Sequence, residues 1–168
     1  MSLMSLLALA ALAVALAQSL VAASEGDAPP QCEQCNAEIT DKLKVVVTDF
    51  ASQREYLCCN IACAISVMMD RFPTSRAVAR DPFAGKEVRI IRTGAKWVAW
   101  PKTAVFLFLP QAQTLDPSAR CLVFPRQVEY IQYLATHPEV AAFKPRPLRL
   151  AELLKAIKEQ KKKERPAR

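Results

Sequence analysis

Apolar and polar positions follow different periods along this chain, and each period predicts an element. Residues 3–17 are almost wholly apolar or small, and no charged side chain occurs before Glu25. A run that short falls below the roughly 20 residues of a membrane helix, and it leads into Val21-Ala22-Ala23-Ser24, a small-residue site for signal peptidase. The expectation is a signal peptide over 1–23 and a periplasmic or extracellular mature protein, with an uncleaved anchor as the alternative. Residues 24–31 read as a flexible polar leader.

The β-branched run Val45-Val46-Val47-Thr48 and the segment Arg54-Glu55-Tyr56-Leu57-Cys58-Cys59 flank a short loop and predict two antiparallel strands. Asn60 is placed to cap a helix over 61–72, which Pro73 stops. Residues 86–92 alternate polar with apolar, as a half-buried strand does. A second round begins at Trp97: residues 103–109 are an apolar strand, Cys121-Leu122-Val123-Phe124 another, and Pro125 opens a helix over 126–135. Laying residues 57–63 over 122–128 puts strand on strand and helix on helix, as two degenerate copies of one unit would. The predicted fold class is α+β: two small ββαβ-type units with antiparallel strands, at 32–95 and 96–143. A C-terminal amphipathic helix follows in a basic tail, 144–168, with Leu148, Leu150, Leu153, Leu154 and Ile157 on one side.

The formal net charge of +7 changes this picture only at the tail. Residues 144–168 hold ten Lys or Arg against three Glu, while the rest of the chain holds 13 of each sign. The globular part therefore has no broad basic face, and nucleic acid is not an expected partner. The tail predicts either a solvated capping helix or a surface for an acidic partner or an anionic membrane.

Chemistry concentrates in sulfur. Cys32-Glu33-Gln34-Cys35 sets two thiols on one tight turn, and Cys59 and Cys63 span a strand-to-helix junction where both can meet the first pair. The 23 residues between Cys35 and Cys59 are close to the spacing of four-Cys zinc knuckles. Cys58, adjacent to Cys59, reads as a surplus exchangeable thiol, and the candidate ligands are Cys32, Cys35, Cys59, Cys63 and Cys58. Thiolates suit Cu(I) or, alternatively, Zn²⁺. A disulfide-stapled protein is an alternative for six Cys in an exported chain, and a thiol-redox protein is an alternative for a lone CxxC. Met68, Met69 and Cys121 read first as core, and the sole His, His137, as a helix-end contact. With no Cys-His dyad, Ser-His-Asp set, HExxH or Gly-rich phosphate loop, the chain does not read as an enzyme.

Cys32-Glu33-Gln34-Cys35-Asn36-Ala37-Glu38-Ile39, followed by Tyr56-Leu57-Cys58-Cys59-Asn60-Ile61-Ala62-Cys63, resembles the TRASH-type heavy-metal knuckle. With Asp81-Pro82-Phe83-Ala84-Gly85-Lys86, Trp97, Trp100, Ala104-Val105-Phe106 and Leu122-Val123-Phe124-Pro125, the stretch from about residue 30 to 143 is similar to NosL, the copper accessory proteins of nitrous oxide reductase. The resemblance implies two ββαβ units and a metallochaperone that binds Cu(I) through Cys32, Cys35, Cys59 and Cys63. It also implies delivery to a recipient copper enzyme or transporter. A structural four-Cys zinc module stays open beside it.

Overall fold

The structure is a computed structural model and describes residues 29–39 and 43–164. The expected signal peptide over 1–23 and most of the leader lie outside the described residues. Among those described, no helix is long and apolar enough to cross a membrane.

The chain is mixed α+β with antiparallel sheets, as its periodicity predicts. Strands β1 (Val45–Asp49) and β2 (Glu55–Cys58) form a hairpin in which Val45 faces Cys58. Its turn is fixed by the Asp49 carboxylate, which accepts from the amides of Ala51 and Ser52 and from the Ser52 hydroxyl. Helix α1 (Ile61–Asp70) starts at Asn60, whose side chain accepts from the Cys63 amide at 2.9 Å. Asn60 thus satisfies one of the donors that a helix start leaves without a partner.

Strand β3 (Thr74–Arg80) then pairs antiparallel with β1, so β1, β2, α1 and β3 make the expected ββαβ unit. The sequence pattern did not announce β3. Its inward residues are Ser75, Ala77 and Ala79, too small to register as a hydrophobic stripe but small enough to let α1 lie against the sheet. Strands β4 (Glu87–Thr93) and β5 (Lys96–Trp100) extend the sheet to the order β2-β1-β3-β4-β5.

Here the structure departs from the expected boundary at residue 96. Strand β5 belongs to the first sheet, because Gly94 at φ +61° makes a tight turn that folds Lys96 back opposite Thr93. The second unit therefore opens with β6 (Val105–Phe108), paired antiparallel with β7 (Cys121–Phe124). Helices α2 (Gln127–Thr136) and α3 (Pro138–Ala141) follow, and the chain returns to set Leu148 against Phe106 through two 2.9 Å backbone bonds. The pairing repeats that of the first unit, with the last strand reduced to one residue pair. Pro145 and Pro147 have no amide hydrogen to extend it.

Strands β6 and β7 are buried on both faces, which is why they read as continuous apolar runs. Phe106, Cys121 and Val123 join α1, the large sheet, and Leu153 and Ile157 of α4 (Leu150–Glu164) in one core. Val105, Leu107, Leu122 and Phe124 pack with Tyr130, Tyr133 and Val140 in a second.

Candidate metal centre

Two short segments hold the thiols, each shaped by local hydrogen bonds. In the first, the Asn36 amide donates to the Cys32 carbonyl and the Cys32 amide to the Ala37 carbonyl, with Asn36 at φ +58°. Gln31, the last residue of the expected leader, pairs with Glu38 and so belongs to this knuckle. This knuckle is tied to β2 by the Glu33 amide on the Leu57 carbonyl and to α1 by an ion pair between Glu33 and Arg71. Buried Ile39 plugs it into the core. In the second segment, Cys59 leaves the end of β2, and the Asn60 cap turns the chain so that Cys63 lies on the first turn of α1.

The sulfurs of Cys32, Cys35, Cys59 and Cys63 all lie within 4.8 Å of one another. Cys35 and Cys59 are 3.6 Å apart, Cys59 and Cys63 3.7 Å, and Cys63 and Cys35 3.9 Å. Four sulfurs bound tetrahedrally at about 2.3 Å from one Zn²⁺ stand about 3.8 Å apart, so these edges fit a single thiolate-bound ion. All six cysteines are unpaired thiols, and these separations far exceed a disulfide bond of about 2.05 Å.

Burial divides the four. Cys32 and Cys59 are 1% and 2% exposed, Cys63 is half-buried and Cys35 is exposed, so the cluster has a fixed floor and an open side. The Cys32 thiol is held well below its ordinary value by the neighbouring thiols of Cys58, Cys59 and Cys63, against the cost of burial. Cys58, Cys59 and Cys63 are pushed up, first by the neighbouring Cys32 sulfur, with burial adding to it. Further thiolates form when a cation supplies the missing charge, and a bound metal ion does so.

Cys58 is not one of the four. The fully buried thiol sits at the last position of β2, opposite Val45 in the core, and interacts most strongly with Cys32. The surplus thiol expected at Cys58 is thus buried next to the four converging sulfurs and is not among them. Met68 is buried in the core, with Met69 packed beside it. His137 stacks on Tyr133 with centroids 3.9 Å apart and places Nδ1 2.9 Å from the Tyr133 carbonyl at the end of α2.

What the sequence did not reveal is the surrounding wall. A cavity of about 460 Å³ opens over Cys35 and Cys63, lined also by Cys121, Arg120, Phe108 and Ile157. The loop before β7 closes one side, tied down by the Asn60 amide group on the Pro117 carbonyl at 2.8 Å. Arg120 sits in that loop, where no spacing or periodicity marks it.

No family model matches this chain, and no curated protein does. Among solved structures, the chain is similar to one described as the mercury-bound form of MerB2, with a TM-score of 0.57 at 12% identity. The match covers 74% of this chain and 59% of that one, so the chain spans well under two thirds of its length. At this identity the likeness concerns the fold.

Proposed function

We propose that this protein is a metal carrier that takes one thiophilic ion, Cu(I), from solution or a donor and passes it to a recipient copper protein. The observation that carries the reading is the four-sulfur cluster with its graded exposure. Cys32 and Cys59 are the anchoring ligands, held by the core and by the knuckle. Cys63 and Cys35 face the open side, where an incoming thiolate displaces one of them without unfolding anything. A soft all-sulfur donor set selects Cu(I) or Zn²⁺ over hard cations. A protein of similar fold has been crystallised with mercury, another thiolate-seeking ion. Export through residues 1–23 places this carrier outside the cytoplasm, and the basic face of α4 supplies attraction for an acidic recipient. Its work is transport of the ion, with no bond of a substrate broken.

A second reading rests on the sulfur edges. Their match to a tetrahedron about Zn²⁺ fits a closed structural site whose role is to fix the knuckle for a protein partner. Anaerobic titration of the full chain with Cu(I) and with Zn²⁺ against a competing chelator separates the two. The carrier reading expects one ion per chain, tighter binding of Cu(I), and loss of more than the roughly 10–100-fold that removing a supporting group costs when Cys59→Ala and Cys63→Ala are combined. Equal binding by that double variant ends both readings, and Zn²⁺ that never exchanges with free thiol favours the second.

A further inference from the structure

The cavity beside the cluster has a chemistry of its own. Its inner wall carries sulfur, from Cys35 and Cys63 of the cluster and from Cys121, which is 3% exposed at the start of β7. Phe108 and Ile157 make an apolar flank. Arg120 lines the same cavity, half-buried, with its guanidinium immobilised: Nε donates to the Leu115 carbonyl at 3.1 Å and Nη2 to the Gln113 carbonyl at 3.0 Å. Among the described residues no carboxylate pairs with Arg120, so the charge is fixed in place with Nη1 left for another acceptor. The other charges on the wall are already engaged, Lys161 with Asp70 and Glu164 with the Gln160 side-chain amide. A fixed guanidinium within one small cavity of exposed metal-site thiols fits a ligand that carries both a carboxylate and a sulfur.

We propose that this cavity binds a small anionic thiol, which docks its carboxylate on Arg120 and coordinates the cluster's metal ion with its sulfur in place of Cys35. This rests on the metal reading of the four cysteines. A volume of about 460 Å³ holds a molecule of tripeptide size and excludes a folded protein domain. In the exchange, the metal–Sγ bond to Cys35 breaks as a metal–sulfur bond to the incoming thiol forms. The proton of that thiol ends on Cys35, so neither the metal nor any sulfur changes oxidation state. Cys35 is the ligand displaced because it is the exposed one, and Cys32, Cys59 and Cys63 keep the ion in place meanwhile. The small thiol is thus the vehicle by which the ion enters or leaves, and Arg120 is the residue that selects it.

The test uses the full chain loaded with Cu(I), or with Zn²⁺ if that is the ion the titration above shows to bind. Three probes are titrated and the complexes are counted by native mass spectrometry. Glutathione carries thiol and carboxylates, cysteamine a thiol without a carboxylate, and S-methylglutathione carboxylates without a free thiol. A complex of one protein, one ion and one glutathione is expected, about tenfold tighter than that with cysteamine, from a charge-assisted pair in a sheltered site. In Arg120→Ala the preference falls towards one, and Arg120→Lys restores part of it. Because Arg120 also braces its loop, the comparison of probes on the unmodified chain stands alone. Equal affinity for glutathione and cysteamine there overturns the proposal, as does a preference that survives in Arg120→Ala or tight binding of S-methylglutathione. A chain that binds no metal before any thiol is added removes the cluster reading itself. A loaded chain indifferent to the carboxylate removes only this inference.

Discussion

The two strand-strand-helix units share a pairing scheme and differ at the junction where strand meets helix. In both, two residues separate the last strand position from the first helical one: Cys59 and Asn60 between Cys58 and Ile61 in the first unit, Pro125 and Arg126 between Phe124 and Gln127 in the second. Aligned by these elements, Asn60 matches Arg126, Cys59 matches Pro125 and Cys63 matches Glu129. The register is one residue away from the overlay that the sequence alone invites. The first junction is capped by an uncharged amide and gathers thiols that a cation completes. The second has no side-chain cap, and its carboxylate at the matching helix position, 3% exposed, is already neutralised by Arg126 and Lys86. One backbone geometry therefore serves as a binding site or as an internal brace, according to whether the charge at the third helical residue is completed from outside or from within the chain.

The comparison predicts separable damage. The largest effect belongs to the brace: Phe124→Ala empties a site packed by Tyr130 and Tyr133 and is expected to cost about 3–5 kcal/mol in urea unfolding. Yet one metal ion per folded chain should still bind. Loss of the ion in chains shown to be folded would mean that the units are not separable.

Asn60→Ala comes next. It removes the bond to the Cys63 amide and the tie to Pro117, and should lower stability by about 1 kcal/mol. Metal affinity should fall more sharply, by roughly 10–100-fold, because the cap sets where Cys63 points. An unchanged competition titration would show that the thiols are placed by the core alone.

Smallest is a pH effect confined to the second junction. The Arg126 guanidinium hydrogen-bonded to Glu129, helped by Lys86, holds its carboxyl down to about 2 from an ordinary 4.5. The folded chain then binds that proton more weakly than the unfolded chain. The brace contributes fully above about pH 4.5 and is lost as pH falls towards 2. Melting temperatures of metal-free protein across that window should drop more steeply for the parent chain than for Glu129→Gln. Parallel curves would assign the acid sensitivity elsewhere.

Much of the frame was legible in the sequence because it depends on near neighbours. The Asn60 cap, the Pro73 stop, the paired β-branched runs and the amphipathic C-terminal helix are each decided within a few residues. So was the placing of Cys32 and Cys35 on one turn and of Cys59 and Cys63 across one junction. Strand β3 escaped because its inward side chains are small, and β5 was assigned to the wrong unit because which strand it pairs with is not a local property.

What the sequence by itself determined was the kind of chemistry and the two segments that bear it, since side-chain identity and short-range hydrogen bonding need no distant partner. Only the tertiary structure decided that those segments meet with sulfurs 3.6–3.9 Å apart, that Cys58 is buried, and that Arg120 and Cys121 line the cavity beside them. Those outcomes depend on packing between stretches that lie 24 to nearly 90 positions apart in the chain. A linear pattern of residue types does not record how such stretches are turned towards one another.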